Sequence, residues 1–275
     1  MSALRELDND AGLVAFCFGI TALPELPGPG LVALLGLFGK SPAASRSLLA
    51  RLQQRGVLRG ERRGRTTGYR LSGPVSEQFG RLRALGHGES PPVDSWDGQF
   101  SGVLFHAPES QRAWRDHARR TGISQGFRLL RPGLLVHPLL PAEAVLGHLA
   151  EAPEGAGALP VRLELAAADA RGLVAQLWEL DLLTRRVVTT TNHLAGLGEA
   201  PRSVLDPDIL RYAAAMRAGY QCLLLAPQLP AELLPEQWPL PGLRNAITRT
   251  NREWTPGVQA AARSLVSAAS GQPAS

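Results

Sequence analysis

Between Ser41 and Gly56 the chain carries a helix with both of its ends written in, and its hydrophobic period changes immediately afterwards. Ser41 has the side-chain oxygen of an N-cap, and Pro42 stands at the first helical position, where a missing N–H costs nothing. Leu48, Leu49 and Leu52 fall on one side and predict a packed face. Arg46, Ser47, Ala50 and Arg51, with Gln53 and Gln54 further along, leave a polar face of cations and amides. Gly56 ends the helix, and 57–62 and 68–72 read as two short strands around the turn RRGRTTG. Upstream, AGLVAFCFGITAL predicts a helix that stops at Pro24, and after the breaker-rich PELPGPG, LVALLGLFG predicts a second that closes at Gly39. Helix, tight turn, helix and basic hairpin is the order of a winged helix-turn-helix. In that arrangement the third helix enters the major groove and the hairpin lies along the phosphate backbone.

Charge is concentrated on these elements. Arg46, Arg51, Arg55, Arg59, Arg62, Arg63, Arg65 and Arg70 have only Glu61 among them, so eight cations less one acid leave an excess of seven. The whole chain nets +5, and everything outside the stretch is therefore slightly acidic. Such localisation is the footprint of phosphate contact, although a solvated arginine-rich face has the same composition. Arg and Gln are also the side chains that read guanine and adenine bidentately. The expected DNA contacts are Arg46, Ser47 and Arg51 at bases or flanking phosphates, and Arg63 and Arg65 at phosphates. Tyr69 packs the base of the hairpin in one reading and binds phosphate in another. Arg51 has an alternative as well, a salt bridge inside the domain.

At 275 residues the length suggests two domains or slightly more. Composition divides the chain into 1–88, 93–196 and 197–275, with a linker at GHGESPP, a polar boundary at GEAPRSVLDPD and a frayed tail at SAASGQPAS. The middle part reads strand, helix, strand, strand, helix, strand, the split βαβ order of a ferredoxin-like domain. Beyond it, a helix is predicted over DARGLVAQLWELDLL, while 187–191 is strand-like by propensity. The last part is helical, with PQLPAELLPEQWPLPG too proline-rich for one element and a helix break at Pro256 and Gly257. The expected fold class is thus α+β: a winged helix-turn-helix, a ferredoxin-like centre and a C-terminal helical domain.

Other chemistry finds little footing. Cys17 and Cys222 sit singly in apolar stretches, as buried hydrophobes do, and the six histidines are scattered without metal-ligand spacing. No GxSxG, Walker or Rossmann pattern occurs, so neither a catalytic residue, a cofactor nor a metal is expected. The acidic start MSALRELDNDAG and the lack of a long apolar run predict a soluble cytoplasmic protein without a membrane span. Two other classes stay open. Asp97, with Asp94, raises a metal-dependent nuclease on a ferredoxin-like fold, and the winged helix could instead bind protein.

SRSLLARLQQRGVL followed by RRGRTTGYRLS resembles the PaaX family of transcriptional repressors, with Arg46, Arg51, Gly56, Gly64, Arg65, Tyr69 and Leu71 at matching positions. The likeness extends to Trp96, Asp97 and Gly98, to Arg112, Arg115 and Arg119, to Gly126, Phe127, Gly133 and Pro138, and to APQLPAELLPEQWP. Leu134 and Leu135 depart from it, standing where the family usually has an aromatic. The resemblance implies a homodimeric repressor that binds double-stranded operator DNA and is released by an aryl-CoA thioester, phenylacetyl-CoA being the type effector. On that reading Arg112, Arg115 and Arg119, which share a helix face, would meet the phosphates of the CoA, and Trp178 and Trp238 would line an aryl pocket. A solvated or dimer-interface face for the arginines and a core position for the tryptophans are the competing expectations.

Overall fold

A computed structural model describes residues 10–64, 66–86, 93–149, 151–199 and 208–271. The fold is α+β, and contacts divide it into two units. The first comprises Met1–Ser90, Arg185–Ala226 and Pro239–Ser275, and the second Pro91–Thr184 and Pro227–Trp238. The boundaries expected from composition differ: they separate 1–88 from 197–275, whereas the contacts join most of the latter to the former. Among the described residues no helix is long and apolar enough to cross a membrane.

In the first unit the order is α1 (Asp10–Thr21), β1 (Leu26–Pro27), α2 (Gly28–Leu37), α3 (Pro42–Gln54), β2 (Leu58–Arg63), β3 (Thr66–Leu71) and α4 (Gly73–Gly86). The strands form an antiparallel sheet ordered β1-β3-β2. Helix α1 is buried on all sides, with Leu13, Val14, Cys17, Phe18 and Ile20 all in the core, and such a helix needs partners all round. The C-terminal helices provide them. α9 (Asp208–Leu225) and α10 (Leu240–Ser270) belong to this unit, and α10 packs on both α1 and α2. Gly30 permits the closest approach, since a Cβ there would come 2.7 Å from Val266 Cγ1. Arg263 Nε donates to the Thr21 carbonyl at 2.8 Å, so α10 also caps the C-terminus of α1. Cys17 and Cys222 are free, buried thiols, and burial pushes Cys17 up to about 12.

The second unit holds β4 (Gln99–His106), α5 (Arg112–Ser124), β5 (Arg128–Arg131), β6 (Leu134–His137), α6 (Glu143–Leu146), β7 (Gly157–Glu164) and α7 (Ala167–Leu177). Its sheet is ordered β5-β6-β4-β7, and each adjacent pair is antiparallel. β4 and β5 are therefore parallel to each other with β6 inserted between them. One face, bearing Val103, Phe105 and Leu135, packs against α5 and α6 through Ala118, Ala142 and Val145. The other, bearing Phe100 and Val136, packs against α7 and the segment carrying Leu229 and Leu233. Trp96, Asp97 and Gly98 make the entry turn: Asp97 Oδ1 accepts from the Gln99 N–H, Gly98 has φ +89°, and the Trp96 ring meets Phe100 edge-on at 5.7 Å.

Four segments depart from expectation. Residues 187–191 are helical, within α8 (Leu180–Ala195), because burial of Val187, Thr190 and Leu194 at helical spacing outweighs β-propensity. The preceding helix is not continuous with it, since α7 ends at Leu177 and Glu179 adopts φ +50°. The second helix expected in the middle part is a single turn, α6. α10 runs unbroken through Pro256, because Trp254 and Val258 are buried on either side and their packing holds the helix across the missing N–H. Pro256→Ala restores a donor to the Arg252 carbonyl, and is expected to stabilise the protein by about 1–3 kcal/mol, read as a higher urea midpoint.

Candidate nucleic-acid interface

The helix α3 is built as its sequence foretells. Ser41 Oγ accepts from the Ala44 N–H at 3.2 Å, and Pro42 occupies the first turn. Ser45, Leu48, Leu49 and Leu52 are buried, which turns Arg46, Ser47, Ala50, Arg51, Gln53 and Gln54 to solvent. At the far end Gly56 takes φ +71°, its N–H bonds to the Gln53 carbonyl and that of Val57 to Leu52. This paired closure stops the helix and aims the chain into β2.

β2 and β3 pair without interruption from Leu58↔Leu71 to Arg63↔Thr66, leaving a two-residue connection at 64–65. Gly64 there has φ +61°, the left-handed conformation that tight hairpins require. Side chains alternate across the hairpin, so Leu58, Gly60 and Arg62 share one face and Arg59, Glu61 and Arg63 the other. The first face is the one α3 touches: a Cβ on Gly60 would lie 3.1 Å from Gln53 Nε2. Arg62 therefore extends the side of the hairpin against which α3 lies. The glycine-flanked turn singled out Arg63 and Arg65, and the signal that finds Arg62 is its spacing of four residues, two strand periods, from buried Leu58.

Arg63 lies on the opposite face, where Glu25 crosses Gly68 and binds both Arg63, at 3.2 Å, and Arg70, at 2.7 Å. Arg63 also reaches Glu61 at 3.7 Å and is still 58% exposed. Arg51 pairs with Asp10 at 3.3 Å, which is the intradomain bridge raised as its alternative. Asp10 is held more closely by Lys40, at 2.6 Å, so Arg51 can leave without stranding the acid. Exposed pairs of this kind contribute about 0–1 kcal/mol, and exchanging one for a phosphate costs little. Arg46 is exposed and has no acidic partner among the described residues. Tyr69 is half-buried with its ring edge against Gly28, which agrees with packing at the base of the hairpin. Arg65 lies outside the described residues.

The residues expected to meet an effector do not converge. Arg112, Arg115 and Arg119 are on α5, over the sheet face bearing Val103 and Leu135, and Glu109 and Asp116 pair with them at 3.1–3.8 Å. Trp178 and Trp238 pack on the other face, with Phe100 and Val136. The Arg128 guanidinium lies 5.4 Å over the Trp178 ring, and His137 meets that ring edge-on at 5.8 Å. His137 Nδ1 accepts from the Leu139 and Leu140 N–H groups, which places its proton on Nε2. Burial first, and the nearby Arg128 second, push its pKa from 6.5 down to about 4. Between those values the unfolded chain binds more protons than the folded one. The stabilisation is thus complete above pH 6.5 and is lost as the pH falls through 4, a difference of about 3 kcal/mol. His137→Asn is expected to flatten this acid slope, measured by urea unfolding at pH 7 and pH 4.5. An unchanged slope would assign the acid sensitivity elsewhere.

Among the described residues no group of three His, Cys, Asp or Glu side chains could hold a metal ion. The search of curated proteins found no match. Among solved structures, the uncharacterized protein Rv0674 from Mycobacterium tuberculosis is similar over 86% of this chain and 89% of its own, with a TM-score of 0.55 and 22% identity, a likeness of fold. The family model described as PaaX-like protein matches residues 22–75. The match spans the whole of α3 and the β2–β3 hairpin, so the likeness to the PaaX-like family falls on these elements.

Proposed function

We propose that this protein is a sequence-specific, DNA-binding transcriptional regulator whose first unit contains a winged helix-turn-helix and whose second is ferredoxin-like. α3 is the reading helix, with Arg46, Ser47 and Arg51 at bases or flanking phosphates, and the β2–β3 hairpin is the wing, with Arg62, Arg63 and Arg65 at phosphates. The observation that carries this reading is the continuity of the polar face of α3 with the wing, through Gln53 seated on Gly60. The family match supports regulation of phenylacetic acid catabolism. Action as a homodimeric repressor, released by an aryl- or acyl-CoA thioester such as phenylacetyl-CoA, follows from the same kinship.

Gel retardation with DNA from the protein's own upstream region tests the reading. Binding is expected to exceed that to random DNA by at least about 10³-fold, and to weaken by orders of magnitude between 50 and 200 mM salt. A footprint with two-fold symmetry is expected of a dimer. Equal affinity for random duplexes would remove the specific regulator, and a CoA thioester that neither stabilises the protein nor releases DNA would remove that effector.

A further inference from the structure

A cavity of about 880 Å³ lies within the first unit, lined by α1, α4, α9 and α10 together with Ala22, Leu23, Pro24 and Leu71. Its size falls in the range of small-molecule sites. Phe16, Phe79, Tyr212 and Met216 give it an aromatic and apolar wall. Arg217, Arg252 and Asn251 add polar groups, and no Asp, Glu, Lys or His is among the described residues that line it. Arg217 is half-buried, so an anion placed beside it would gain a partner in a partly dry setting. The Asn251 amide donates to the Tyr220 hydroxyl at 3.1 Å, which ties α10 to α9 across this wall.

From this combination we infer that the cavity binds an amphipathic organic carboxylate, its apolar body against Phe16, Phe79 and Tyr212 and its head at Arg217 and Arg252. With no acid among the described residues lining this cavity, Arg217 and Arg252 favour an anionic head, and the extent of apolar wall favours a carbon skeleton over a sugar or a polyphosphate. α1 lines the cavity through Gly12, Ala15 and Phe16 and carries Asp10, the partner of Arg51 on α3. Occupancy therefore has a short route to the reading helix, a consequence that rests on the regulator reading whereas the binding itself does not.

The test is calorimetric titration of the full chain, without DNA, with sodium 4-phenylbutyrate and sodium octanoate as aromatic and aliphatic probes. Trp254 gives a second readout, because it is the tryptophan of this unit and stacks on Tyr212, with ring centroids 5.4 Å apart. At least one acid is expected to bind with a Kd below about 100 μM and to change the emission of Trp254. Its neutral amide, and the Arg217→Gln, Arg252→Gln double variant, are each expected to lower affinity at least about tenfold. The inference is overturned if neither acid binds at millimolar concentration, or if amide and acid bind alike, or if the folded double variant binds as well as the parent. A protein that retards DNA but ignores both acids sinks only this inference, and one that binds an acid but no DNA sinks only the regulator.

Discussion

Alanine at both Arg46 and Arg51 is expected to weaken specific DNA binding by about 10²- to 10⁴-fold, since each bidentate base contact contributes roughly 1–3 kcal/mol. Neither change threatens the fold. Both side chains are exposed, and among the described residues the one ion pair given up is that between Arg51 and Asp10, which Lys40 already shares. Competition against a mutated site separates the two modes of contact: loss of a base contact relaxes specificity at one position, and loss of a phosphate contact lowers affinity uniformly and reduces the salt slope by about one. Asp10→Asn is the informative control, because it frees Arg51 and should leave affinity unchanged or raise it. A double alanine variant that still binds its site at parental affinity would remove α3 as the reading element.

A fragment comprising residues 1–88 alone is expected not to fold cooperatively. In the intact chain α1 and α2 bury Leu13, Val14, Phe18, Ile20, Leu31, Leu34 and Leu35, and a large part of that cover is α10. Each such side chain contributes about 1.5–3 kcal/mol when buried, against a total stability of about 5–15 kcal/mol for a domain, so stripping even a few exceeds the margin. The fragment should give no sigmoidal urea transition, and co-expression with residues 185–275 should restore one. Trp254→Ala is the milder form of the same experiment in the full chain. It removes a side chain that is 2% exposed and stacked on Tyr212, and is expected to cost about 3–5 kcal/mol. A fragment 1–88 with a sharp transition of its own would show the C-terminal helices to be dispensable.

Legibility from sequence followed the locality of the cause. The ends of α3 were readable because Ser41, Pro42 and Gly56 act on neighbouring backbone, and the hairpin was readable from its glycines and the change of period. The strands of the second unit were readable from alternation. What stayed hidden depends on distant partners. Pro256 reads as a break until Trp254 and Val258 are known to be buried beside it, and 187–191 reads as strand until its inner face is known to lie in a core. One signal for the composition of the first unit was present: α1 and α2 are apolar on every side, which no helix on the edge of a small domain sustains. At the candidate interface, arginine content pointed to the region, yet only the register of β2 and β3 separates Arg62 from Arg63. The effector residues inferred from kinship share the second unit and stand on opposite faces of its sheet.

The first unit is assembled from three stretches of chain, and the last of them reaches Val266, which abuts Gly30. On the ribosome, the segment that presents Arg46 emerges early and must wait for more than two hundred further residues, through Val266, before its hydrophobic neighbours are covered. Premature termination anywhere in that interval yields a product in which Leu31, Leu34 and Leu35 of α2 lose the cover of α10, a target for degradation.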